Sequence, residues 1–109
     1  MFALSYADEE IFAEKIRALG DRARPRDLYD VIHLFRQLKQ STNNNVILDI
    51  LKKKCAFKKI DLITEENLEK YRESCKIGWE SQLTHQISVL PTFHSFWDEL
   101  PAFFSWLHR

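Results

Sequence analysis

The sequence predicts an all-α fold, a bundle of five or six helices that opens with an antiparallel helical hairpin. Three observations predict it. Glycine and proline are scarce, two and three in 109 residues, too few for the frequent turns of a sandwich or barrel. Apolar side chains recur at three- and four-residue steps through most of the chain, which is the period of a helix face. Hydrophobic residues make up 45% and aromatics 13%, enough for a packed core and too much for a disordered chain. Residues 1–109 read as one helical domain on length alone, with no repeat, linker or low-complexity tract.

The elements follow in chain order. Phe2–Tyr6 is short and apolar, an extended lead-in or a truncated strand. Asp8, Glu9 and Glu10 place negative charge where a helix start favours it, and a first helix is expected from about residue 7 to Arg22. Pro25 suits the first position of a second helix, where its missing N–H is not needed. That helix carries Leu28, Val31, Ile32, Leu34, Phe35 and Leu38 at helical spacing. The short gap between the two favours an antiparallel hairpin. Ser41–Asn45 is a polar break rich in capping residues. A third helix runs from Val46 to about Phe57, with a basic end at Lys52–Lys54, Lys58 and Lys59 that suits a helix C-terminus. Thr64 reads as the N-cap of a long fourth helix carrying Leu68, Tyr71, Cys75, Trp79 and Leu83. After Pro91 the tail holds six Phe and Trp residues between Phe93 and Trp106, and Pro101 is expected to kink it or divide it into two short helices. The helical spacing of that tail reads as core rather than as a base-stacking platform. Its aromatic content also exceeds what a short tail needs, so self-association as a homodimer is expected through the tail or through the Lys15 face.

Composition excludes several functions. Sixteen basic and sixteen acidic residues cancel, which argues against a nucleic-acid-coating protein. Gly20 and Gly78 stand alone, so there is no Gly-rich phosphate loop. Cys55 and Cys75 form no CxxC pair and point to no zinc site; their spacing permits a disulfide or two free thiols, and a cytosolic chain would keep them free. His33, His85, His94 and His108 lack an i, i+4 pair, so no metal is expected on them. The lysines from Lys52 to Lys59 read as a solvated helix end before they read as an RNA contact. No apolar run approaches the roughly 20 residues of a membrane span, and Met1–Glu10 has no signal-peptide pattern. A soluble cytoplasmic protein with no membrane partner is the expectation.

The first two helices hold the candidate chemistry. At about 100° per residue, and with Ile11 at 0°, the apolar arc of the first helix takes in Ile11, Phe12, Ile16 and Leu19, with Lys15 at about 40° and Arg22 at about 20° inside it. Buried cations require partners. On the second helix, with Leu28 at 0°, Asp27 lies inside the apolar arc at about 260° and Asp30 on its rim at about 200°, while Arg26 points away. Lys15 and Arg22 can therefore face Asp27, or Asp30, on the next helix. One reading makes these charges a lock on the hairpin. The other makes them a polar site where a lysine meets a phosphate and an aspartate supports a metal or a proton transfer.

The run Glu14-Lys15-Ile16-Arg17-Ala18-Leu19, then Arg22, then Pro25-Arg26-Asp27-Leu28-Tyr29-Asp30 has the form E-K-x-x-A-x-x-x-R-x-x-x-R-D-x-Y-D. It resembles the helical hairpin of the AbiEii/AbiGii toxin family, nucleotidyltransferases of bacterial abortive-infection and toxin–antitoxin systems. The motif covers about the first third of the chain. The resemblance implies that Lys15 contacts nucleotide phosphates and that Asp27 is needed for activity, with Asp30 as the motif's second aspartate. Glu14, Arg22, Arg26 and Tyr29 match supporting or substrate-positioning places. It also implies a nucleoside triphosphate and Mg2+ for the complete enzyme, a cognate antitoxin, and a tRNA or other acceptor.

The nucleotidyltransferase half of that family begins with a Gly-Ser signature followed by metal-binding carboxylates, and nothing in this chain matches it. No metal site or cofactor is therefore expected within these residues. The chain reads as the C-terminal helical portion of such an enzyme, inactive alone, with Lys15 and Asp27 completed by a missing half. A non-catalytic helical interaction module, or a gene remnant, is the rival reading.

Overall fold

The helices are set by caps at their starts and by a left-handed residue at two of their ends. A computed structural model describes residues 7–109, so the Phe2–Tyr6 stretch lies outside the described residues. Seven helical segments follow one another: α1 (Ala7–Arg22), α2 (Pro25–Leu38), α3 (Asn44–Lys58), α4 (Glu65–Glu69), α5 (Arg72–Leu83), α6 (Phe93–Trp97) and α7 (Leu100–Leu107). The fold is all-α, with no strand among the described residues. No described helix is long and apolar enough to cross a membrane.

Only Ala23 and Arg24 separate α1 from α2, which pack against each other. Ala23 turns the chain at φ 46°, a left-handed conformation that a residue with a Cβ adopts at some cost. Pro25 then opens α2 in the position the sequence assigns to it. Asn43 caps α3 through its side-chain oxygen, which accepts from the N–H groups of Asn45 and Val46. At the far end of α3, Lys59 sits at φ 57°. Its N–H reaches the Ala56 carbonyl and that of Ile60 reaches Cys55, the paired closure that satisfies the last carbonyls of a helix. Thr64 caps α4, accepting from Asn67 at 3.1 Å.

The long fourth helix expected from Thr64 to Leu83 is divided at Lys70–Tyr71 into α4 and α5. The apolar steps continue across the break, but they serve different neighbours. Leu68 is buried where α4 meets α7, whereas α5 packs against α2 and α6. Pro101 lies in the first turn of α7 and separates it from α6, as its position predicts.

The core gathers Phe12, Ile16 and Leu19 of α1, Leu28, Val31, Ile32 and Phe35 of α2, and Ile47 and Leu51 of α3. The tail closes it. Phe12 stacks on Phe103 and Trp106 at 6.0 and 5.9 Å, and Phe35 meets the same two rings. Phe93, Phe96, Trp97, Phe103, Phe104 and Trp106 are all buried. The tail thus lies in the chain's own core and does not supply the surface for self-association expected of it. Two polar groups next to this core are bonded: Trp79 Nε1 donates to the Pro91 carbonyl at 2.8 Å, and Asn44 Nδ2 donates to that of Trp106 at 3.0 Å. Cys55 and Cys75 are both buried free thiols.

Candidate functional site

The side chains of the E-K…R-D-x-Y-D motif divide between two polar clusters on α1. The first lies where α1 meets α2. Asp27 sits in the first turn of α2 and is buried. Its carboxylate accepts from Arg22 Nε at 3.0 Å and Arg22 Nη2 at 3.1 Å, and Oδ2 also accepts the backbone N–H of Arg24 at 3.1 Å. A carboxylate at a helix N-terminus is stabilised by the unpaired N–H groups and the helix dipole. The two parallel guanidinium bonds add a directional ion pair. The bond to Asp27 is also the main cause that raises the Arg22 pKa.

One turn further along α2, Asp30 Oδ2 lies 3.1 Å from Lys15 Nζ and 3.8 Å from Arg26 Nε. Lys15 is 42% exposed and Asp30 21%. Arg26 is exposed and also donates to Gln86 Oε1. Two cations therefore converge on one carboxylate oxygen at the rim of the helix pair. Here the structure resolves the expected pairing: of the two carboxylates, Lys15 meets Asp30 and Arg22 takes Asp27. It also corrects the expectation that Lys15 and Arg22 lie on the buried arc. That arc was anchored on Ile11, which is 54% exposed. The buried face instead takes in Glu9, Phe12, Ala13, Ile16 and Leu19, centred about 140° from Ile11. Lys15 and Arg22 fall on its flank, where both side chains stay partly exposed to water.

The second cluster lies where α1 meets α3. Glu14 faces this way, not toward Lys15. Its Oε1 accepts from Arg17 Nη2 at 2.6 Å and its Oε2 lies 3.2 Å from Lys54 Nζ. The bond from Arg17, opposed by partial burial and aided by Lys54, holds the Glu14 carboxyl below its usual value. Arg17 also approaches Asp21 at 3.9 Å. The spacings Glu14–Arg17 and Arg17–Asp21 are the i, i+3 and i, i+4 steps that bring charges together on a helix, so this network was readable from the sequence, although only Glu14 was singled out in it. Beside it lies a cleft of about 330 Å3 whose lining includes Arg17, Asp21, Cys55, Asn67 and Tyr71. Tyr29, the remaining motif residue, is half-buried and stacks on Phe96 at 5.1 Å and on His33 at 5.5 Å.

Among the described residues no group of three His, Cys, Asp or Glu side chains is placed to hold a metal ion. Asp27 and Asp30 already face cations. The donor set present does not fit Mg2+, and Lys15 and Arg26 converge on one anionic oxygen, that of Asp30.

The sequence model of the family described as "Nucleotidyl transferase AbiEii toxin, Type IV TA system" matches residues 4–109. The chain belongs to the AbiEii family. No curated protein and no solved structure gives a significant match. The AbiEii match extends well beyond the α1–α2 motif, through the aromatic tail. The matched span takes in α6 and α7 as well as α1 and α2.

Proposed function

We propose that this chain is the helical portion of an AbiEii-type nucleotidyltransferase, and that Lys15 takes up the phosphates of its nucleotide at the α1–α2 rim. The observation that carries this reading is the position of Asp30 Oδ2, 3.1 Å from Lys15 and 3.8 Å from Arg26. An anionic oxygen is stabilised at that point. A phosphate oxygen can take the place of the Asp30 carboxylate, because Lys15 is the more exposed member of the pair and its ammonium can turn to it. Asp27, held on Arg22 and on the Arg24 N–H, fixes the angle at which α2 presents Asp30 and Arg26.

The carboxylates that bind Mg2+ and the Gly-Ser signature belong, in this reading, to a separate nucleotidyltransferase half, and the chain alone is inactive. Nucleotidyl transfer depends on metal ions and positioning, and the residues described here supply only positioning. A cognate antitoxin and an RNA acceptor such as tRNA are the partners of the complete system.

The test is incubation of the pure chain with labelled nucleoside triphosphates, Mg2+ and total tRNA, with and without a polypeptide bearing the Gly-Ser signature and its carboxylates. No transfer is expected from the chain alone. Transfer is expected from the mixture, and Lys15→Ala should abolish it. Transfer by the pure chain, lost on Lys15→Ala, would refute the division of labour. Transfer by the mixture that ignores Lys15→Ala would refute the phosphate role.

A further inference from the structure

A ladder of rings runs from the core to the exposed face of α2. Phe96 is buried, and Arg36 clamps it from above, with its guanidinium carbon 4.3 Å from the ring centroid. Arg36 is itself fixed by Glu99 and by the Ser95 carbonyl. Tyr29 lies nearly parallel to Phe96, at 5.1 Å and 8°, and Trp79 tilts against it at 6.5 Å. His33 continues the ladder over Tyr29 at 5.5 Å and 11°. His33 is exposed, and among the described residues Tyr29 is the one ring that contacts it. The imidazole is therefore a flat surface held by a packed stack, with one face turned away from its own support.

That surface lies on the same side of α2 as the phosphate position. Arg26, Asp30, His33 and Gln37 occupy steps of four, three and four residues, a single stripe on a helix. His33 follows Asp30 by less than one turn, about 4.5 Å along the axis. A ribose spans such a gap between a phosphate and a base. Every nucleobase has a π-face, and stacking on an aromatic side chain contributes to binding without regard to base identity.

We infer that the open face of His33 is the stacking platform for the base of the nucleotide whose phosphates Lys15 holds. This rests on the proposed role of Lys15 and adds the nucleoside subsite to it. The platform accepts purines and pyrimidines alike. Gln37, exposed one turn beyond His33, offers both a donor and an acceptor to a base edge.

The test compares ATP, UTP and inorganic triphosphate as ligands of the full chain, with NMR signals of His33 and Lys15 followed during titration. Both nucleotides should bind about tenfold tighter than triphosphate, in the range of one stacking contact. Both should shift the His33 ring protons, whereas triphosphate should shift Lys15 alone. His33→Ala should remove the nucleotide advantage and leave triphosphate binding intact, and His33→Phe should restore it. Equal affinity for nucleotides and triphosphate, an advantage that survives His33→Ala, or no binding of any of the three would overturn the platform. Lys15→Ala separates the two readings. If it leaves all affinities unchanged while His33→Ala still matters, the phosphate role fails and the platform stands. If triphosphate binding needs Lys15 but the base adds nothing, the platform alone fails.

Discussion

Replacing Asp27 with alanine tests whether the buried carboxylate locks α1 to α2. The substitution deletes three hydrogen bonds, two from Arg22 at 3.0 and 3.1 Å and one from the Arg24 N–H at 3.1 Å. Breaking a fully buried ion pair costs about 3–5 kcal/mol, because the abandoned partner stays dry. That figure is too large here, since the Arg22 side chain is 49% exposed and rehydrates. An exposed pair contributes about 0.5–1 kcal/mol. Loss of the carboxylate that caps the first turn costs about 1 kcal/mol more, and loss of its interaction with the helix dipole about 0.5 kcal/mol. The expected destabilisation is about 2 kcal/mol, or a Tm lower by roughly 10 °C for a domain of this size. Asp27→Asn keeps an acceptor for the Arg24 N–H and should lose about half as much. Urea unfolding of Asp27→Ala, Arg22→Ala and the double variant gives the coupling between the two residues, expected at about 0.5–1 kcal/mol. An Asp27→Ala protein within 0.5 kcal/mol of the parent, or a coupling near zero, would refute the lock.

Two further outcomes follow from the backbone and the thiols. Lys59→Gly should stabilise the chain by about 0.5–1 kcal/mol, read as a higher urea midpoint at unchanged slope, because Lys59 holds φ 57° at the end of α3, where glycine escapes the Cβ strain; a lower midpoint would count against the closure described there. Burial, and secondarily the charge of Asp27, pushes the Cys75 thiol up from 9.0 to about 12. Since the folded value is the raised one, the associated stability is fully present below pH 9 and is lost as the pH climbs toward 12. Alkylation of native protein at pH 8.5 should therefore leave Cys75 unmodified until the chain unfolds, and rapid labelling in the native state would contradict its burial.

Much of the fold was legible because local chemistry sets helix ends. Pro25, Asn43, Thr64 and Pro101 each act through a neighbouring backbone group, so their spacing announces the element. The break at Lys70–Tyr71 was not legible. The apolar steps run through it unchanged, and only the three-dimensional positions of α7 and α2 send Leu68 and Trp79 to different partners. The site was legible in part. Asp27 on the buried arc and Asp30 on its rim are where the helical angles put them. The choice between Asp27 and Asp30 as the partner of Lys15 was not legible, because the exposed Ile11 joins the apolar arc by residue type and rotates the arc of α1. Glu14 borders Lys15 in sequence, but neighbours on a helix diverge by about 100°, and Glu14 points to α3.

The closed aromatic core bears on how a catalytic half would attach. Phe96, Phe103 and Trp106 are buried against Tyr29, Phe12 and Phe35, so the tail is satisfied within this chain. What the α1–α2 rim offers a partner is charge: Lys15, Asp30 and Arg26 beside the Arg22–Asp27 pair. An interface of that kind is steered by electrostatics more than by apolar area and weakens as salt screens it. Under the proposed division of labour, the two halves should therefore assemble through the same polar edge that receives the nucleotide, and the nucleotide's phosphates would be part of what joins them. Binding of the halves should then strengthen when a nucleoside triphosphate is present, by the factor with which assembly tightens the nucleotide, since the two effects are one coupling seen from either side.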